Sequence, residues 1–105
     1  MKFCFLLESL NFKSSGAARA VARMALALQK YHQIPCQLLG PSDKYVQSEA
    51  FDLSSLKIKP IVTSGKGRRR YFEMQKDISA AARELHTNIV IACGKFQDCD
   101  VYWPH

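Results

Sequence analysis

The sequence has no apolar stretch long enough to cross a bilayer. The alanine-rich segment after Gly16 is interrupted by Arg19 and Arg23, whereas a spanning helix needs about 20 mostly apolar residues. It shows no secretory leader either, because the apolar run Phe3–Leu7 is short and stops at Glu8. The expectation is a cytoplasmic protein, attached at most peripherally to the inner face of the membrane. There is no Cys-x-x-Cys pair and no Cys/His set with zinc spacing, Cys93 and Cys99 being the only cysteines close in sequence. Neither a metal site nor a disulfide framework is therefore expected. Cys4, Cys36 and Cys93 each lie inside an apolar run, where a reduced thiol acts as a small hydrophobe. Gly65-Lys66-Gly67 is not a P-loop, since Ile61 stands where the glycine five positions before the lysine would be. Low-complexity linkers and internal repeats are absent as well.

Acidic residues are scarce, with 9 Asp and Glu against 15 Lys and Arg, for a formal charge of +6. Much of the excess comes from Lys66-Gly67-Arg68-Arg69-Arg70, with Lys57 and Lys59 nearby. Such a run attracts nucleic acid, anionic lipid or a phosphorylated substrate, or is simply a solvated loop. The composition is 48% hydrophobic and 23% charged over 105 residues, which fits one folded domain and argues against disorder.

The hydrophobic pattern alternates between two periods. Lys2 to Leu7 reads as a strand buried on both faces. From Ser15 to Lys30 the period is helical, with Val21, Met24, Ala25 and Leu28 on the core side and Arg19, Arg23 and Lys30 opposite. Ser14 or Ser15 caps it. Cys36-Gln37-Leu38-Leu39 is a second strand ended by Gly40-Pro41. Residues 41 to 56 read as a polar connection, with a helical turn around Lys44 to Ala50. Leu56 to Val62 alternates like an edge strand, since Pro60 cannot donate to a ladder. Tyr71, Met74, Ile78, Ala81, Ala82 and Leu85 form the stripe of a second helix, and Asn88 to Cys93 is a β-branched fourth strand. Strands alternating with helices imply a parallel sheet with crossovers. The expected fold is thus α/β, a Rossmann-like parallel sheet of order 3-2-1-4 with flanking helices. A complete flavodoxin-like protein is disfavoured by the lack of a fifth strand.

A strand, a loop of small residues and then a helix is how α/β folds bring backbone N–H groups to an anion. Here that segment is Phe3–Leu7, Ser14-Ser15-Gly16-Ala17-Ala18-Arg19 and the apolar helix. It resembles the start of family 4 glycosyltransferases of the GT-B fold, whose loop commonly reads Gly-Gly-Ala-Glu-Arg or Gly-Gly-Leu-Gln-Arg. Gly16 and Arg19 match; Ser15 replaces the first glycine and Ala18 the acidic or amide residue. Ala92-Cys93-Gly94-Lys95-Phe96-Gln97-Asp98-Cys99-Asp100-Val101-Tyr102 is similar, without a gap, to a segment of lipopolysaccharide core glucosyltransferases ending Gly-Phe-Asn-Lys-Met-Pro-Gly-Leu-Asp-Val-Tyr. Lys95, Asp100, Val101 and Tyr102 agree in identity and spacing, and Gly67-Arg68 resembles that subgroup's His-Gly-Arg turn.

The resemblance covers nearly the whole chain and implies residues 1–105 are a partial N-terminal, acceptor-side domain. A sugar would pass from a nucleotide-sugar, the co-substrate in place of any cofactor, to a cell-envelope glycan or lipid-linked acceptor. Ser15, Gly16 and Arg19 would meet the donor phosphates; Arg68, Lys95 and Asp100 would line the acceptor side, the last two beyond the carboxyl end of the fourth strand. The chain ends at His105 before any donor domain, so it is expected to be an inactive fragment. An open edge on the fourth strand would favour self-association, and the basic run an anionic membrane surface. The alternative is a non-enzymatic basic α/β module for nucleic acid or another polyanion, although the run lacks interleaved aromatics for stacking.

Overall fold

The computed structural model describes residues 2–43, 45–46, 53–63, 70–85, 89–93 and 100–102. Along the chain come β1 (Phe3–Leu7), α1 (Gly16–His32), β2 (Cys36–Pro41), β3 (Lys57–Ile61), α2 (Arg70–Glu84), β4 (Ile89–Cys93) and β5 (Val101–Tyr102). All strand pairs are parallel, in the order β3-β2-β1-β4-β5. The expected four-strand order 3-2-1-4 is therefore present, and β5 adds at its end a fifth strand, correcting the expectation that the chain lacks one.

Alternation along β1 explains the layers. Phe5 and Leu7 join a cluster with Ala18, Val21, Ala22 and Ala25 of α1, while Cys4 and Leu6 pack with Met74, Ile78 and Ala82 of α2. Successive strand residues point to opposite faces, so the helices cover opposite sides of the sheet. Cys4, Phe5 and Leu6 are completely buried, as a central parallel strand requires. The fully buried stripe of α1 is Ala18, Val21, Ala22 and Ala25, with Leu26 and Leu28 packed half-buried against the same cluster on its flanks. Met24 lies too far round that stripe and is 37% exposed, correcting its expected place in the core.

Two further differences have physical causes. The 41–56 connection is more than a polar link, because Leu53 and Leu56 are buried with the α1 cluster. Val46 also pairs with Asn11 in an isolated parallel bridge, and its carbonyl accepts from Phe12 N–H at 2.8 Å. Most of the expected turn from Lys44 to Ala50 lies outside the described residues. At the other end of the sheet, β4 is an interior strand, with Ile91 opposite Val101 and Ala92 opposite Tyr102. The open edge that motivated self-association thus passes from β4 to the two-residue β5. The opposite edge is β3, where Lys57, Lys59 and Pro60 are exposed, a composition that discourages further pairing.

Candidate functional site at the carboxyl end of the sheet

Residues 8–15 carry the chain from β1 to α1 on a scaffold of short hydrogen bonds. Asn11 Oδ1 accepts from Lys13 N–H at 3.2 Å and Ser14 N–H at 3.1 Å, an Asx-type turn. Its carbonyl accepts from Ser15 N–H at 2.9 Å, and its own N–H donates to Ser9 Oγ at 3.2 Å. Leu10 and Phe12 pin the turn from below, both fully buried, with Phe12 edge-on to Tyr45 at 6.3 Å between ring centroids.

Ser15 is the N-cap: its φ/ψ of −84°/115° are extended and its Oγ accepts from Ala18 N–H at 3.2 Å. Arg19 N–H donates to the Ser15 carbonyl at 3.1 Å. The N–H groups of Gly16 and Ala17, in the same turn, have no carbonyl within the helix to reach. They also stand at the positive end of the helix dipole, and no acidic residue occupies the first turn of α1. A Cβ built on Gly16 would meet nothing within 4 Å. The approach to this helix end is open.

Beside it lies a cleft of about 190 Å³ lined by Leu7, Glu8, Ser9, Ser15, Ala17, Ala18 and Cys93. Leu7 and Cys93 are register partners at the last positions of β1 and β4. From β1 the chain proceeds to β2 on one side, while β4 is added on the other. The cleft therefore sits at the topological switch point of the sheet, where open parallel sheets bind ligands. Burial pushes the Cys93 thiol up to about 12, so it stays neutral and serves as wall rather than nucleophile. Cys4 is likewise raised to about 12 and Cys36 to about 11 by burial. Among the described residues, no group of three or more His, Cys, Asp or Glu side chains could hold a metal ion.

The structure brings only part of the expected set together. Ser15 lines the cleft, Gly16 stands between its lining residues Ser15 and Ala17, and Arg19 is half-buried outside the lining. Asp100 is elsewhere. It precedes β5 and flanks Val90 near the start of β4, at the amino end of the sheet, which corrects its expected position beyond the carboxyl end. Its Oδ2 accepts from Val90 N–H at 2.8 Å while its N–H donates to the Val90 carbonyl at 2.9 Å. The residue thus fastens β5 to β4. Arg68 and Lys95 lie outside the described residues. Glu8, Ser9 and Cys93 were missed as cleft residues. Glu8 and Ser9 carried a readable signal, because the first polar residues after a buried parallel strand lie at the ligand-binding end.

With this geometry the chain is similar to the crystal structure of WaaG, a glycosyltransferase involved in lipopolysaccharide biosynthesis, at a TM-score of 0.68 and 16% identity. The fold is GT-B-like. The match covers 95% of this chain and 25% of that one, so the chain spans about a quarter of the length of the protein it resembles. No family model matches the chain, and no curated protein matches it. No helix among the described residues is long and apolar enough to cross a membrane.

Proposed function

We propose that these residues form the acceptor-side, Rossmann-like part of a glycosyltransferase. It would transfer a sugar from a nucleotide-sugar to a cell-envelope glycan or lipid-linked acceptor. The observation that carries this reading is the cleft at the β1/β4 switch point, bordered by the N-terminus of α1. Its volume of about 190 Å³ is below the ~300–1,000 Å³ of a typical small-molecule site. It suits one sugar or one phosphate group, as one wall of a larger cleft would.

The two sides of the cleft suit different chemistry. Gly16 and Ala17 offer N–H groups and a helix dipole to the diphosphate, whose negative charge grows as the glycosidic bond to the donor breaks. Glu8 and Ser9 offer hydrogen-bond acceptors and a hydroxyl, which suit sugar hydroxyls. Arg19 is close in sequence to the phosphate side and would add positive charge there. The acceptor role of Arg68 and Lys95 remains part of the proposal. Because donor and acceptor must be held together for transfer, residues 1–105 alone are expected to be inactive.

The test uses the natural full-length gene product, a panel of nucleoside-diphosphate sugars and a delipidated and a lipid-linked glycan acceptor. Sugar transfer that falls at least about ten-fold in Glu8→Gln, with unchanged melting temperature, supports the reading; about 1.4 kcal/mol of lost transition-state binding has that effect. Absence of both transfer and nucleotide-sugar binding across the panel overturns it.

A further inference from the structure

Glu8 and Ser9 are the first residues past β1, and both line the cleft, half-buried. They follow Leu7, whose register partner Cys93 lines the same cleft, and Leu7 and Cys93 are both buried. The Ser9 hydroxyl is held in place, its Oγ accepting from Asn11 N–H at 3.2 Å. Asn11 is itself fixed, by the bonds from Lys13 and Ser14 N–H to its Oδ1 and by its bridge to Val46. Its neighbours in the chain, Leu10 and Phe12, are fully buried. With one lone pair engaged by Asn11, the Ser9 hydroxyl still has its proton to donate. Among the described residues no acceptor takes that proton. A carboxylate, as Glu8 carries, only accepts. One end of the cleft thus sets an O–H donor beside a carboxylate acceptor, over an apolar floor of Leu7, Ala18 and Cys93.

We propose that this end of the cleft reads one hydroxyl of a neutral sugar, with Glu8 and Ser9 together as the specificity-determining pair. A hydroxyl donates to Glu8 and accepts from Ser9 at once. A doubly ionised phosphoryl group has no proton for the carboxylate and is repelled by its charge. An ammonium satisfies the carboxylate but has no lone pair, so the Ser9 proton would be left unpaired. An ion pair in contact with water does not repay that loss. A bare C–H satisfies neither side chain. The apolar floor takes the C–H face of the ring, as in small-molecule sites where a few placed polar groups fix orientation between apolar walls. That the ligand is a sugar rests on the proposed transferase reading; the demand for a hydroxyl rests on the two side chains alone. The hydroxyl belongs either to the transferred sugar or to the receiving one, and the experiment separates the two.

The test uses the natural full-length protein and saturation-transfer NMR with methyl glucoside, methyl galactoside and methyl mannoside. For the best binder, each hydroxyl is replaced in turn by hydrogen and by an ammonium group. One position is expected at which hydrogen weakens binding about ten-fold or more, as loss of a hydrogen bond to a charged group does. At that same position the ammonium should weaken it several-fold. In Ser9→Ala the ammonium analogue should recover several-fold against its hydroxyl parent, because no unpaired proton then opposes it. A purely structural role for Ser9 would weaken both ligands alike and leave their ratio unchanged. Ser9→Thr keeps the hydroxyl and should keep the wild-type ratio; melting temperatures report on the turn in both variants. The deoxy change is then placed on the sugar of a nucleoside-diphosphate hexose and, separately, on the hexoside acceptor. The arm in which kcat/KM falls about ten-fold names the source of the hydroxyl. The proposal is overturned if no hexoside binds, or if the ammonium analogue binds wild type as well as its parent. It is also overturned if Ser9→Ala leaves their ratio unchanged, or if transfer proceeds and kcat/KM falls in neither arm. Hexoside discrimination without any sugar transfer would sink the transferase reading and leave this one standing; transfer without discrimination would do the reverse.

Discussion

β1 and β2 are neighbours that end differently. β2 finishes at Gly40-Pro41, where the absent side chain of Gly40 is occupied by Leu10: a Cβ there would lie 2.6 Å from Leu10 Cγ. β1 finishes at Leu7 beside an open cleft, and the glycine at the head of the following helix, Gly16, has nothing within 4 Å of a built Cβ. One glycine is required by packing. The other is not required by any contact the fold makes, which leaves its openness available to a ligand. The comparison teaches where the molecule has spent its close packing and where it has kept a surface free.

That contrast can be broken at several points. Leu10 is fully buried over Gly40, so Leu10→Ala should cost about 2–5 kcal/mol of unfolding free energy in a denaturant titration. Gly40→Ala should cost about 1–3 kcal/mol, because the added methyl must displace the Leu10 side chain; a melt as stable as wild type would show that Leu10 yields easily. Ser15→Ala removes the acceptor for Ala18 N–H and should cost about 1 kcal/mol, measurable by the same titration. The smallest effect belongs to Gly16→Ala, expected to stabilise by up to about 1 kcal/mol, since the open site accepts a methyl and the unfolded chain loses freedom.

Much of the sheet was legible in the sequence, for reasons that can be named. Phe3–Leu7 is a buried apolar run, and Pro60 with two lysines marks an edge, so β1 and β3 could be placed before any coordinates. β5 could not, because Val101–Tyr102 is two residues long and is held largely by pairing with β4 and by the two Asp100–Val90 hydrogen bonds. Local pattern carries no trace of such a tether. Asp100 was misplaced for the same reason: a residue following β4 in sequence was assumed to stay at its carboxyl end, whereas the chain returns to the amino end before β5 begins. Met24 failed on geometry, since at 3.6 residues per turn it lies beyond Val21 and Leu28, past the margin of the buried stripe. In the cleft, Ser15 and the helix start followed from capping rules, but the pairing of Leu7 with Cys93 is a tertiary fact that joins residues far apart in the chain.

The most direct test of the central claim, that the open end of α1 receives the donor, pairs two readings on the Gly16→Ala and Gly16→Leu variants of the natural full-length protein. Thermal unfolding reports on the fold, and kcat/KM for a nucleotide-sugar reports on the site. The account predicts melting temperatures at or above wild type together with transfer lowered about ten-fold or more, an activation cost of about 1.4 kcal/mol, and a larger loss for leucine than for alanine. Full transfer activity in both variants, at unchanged stability, would contradict it.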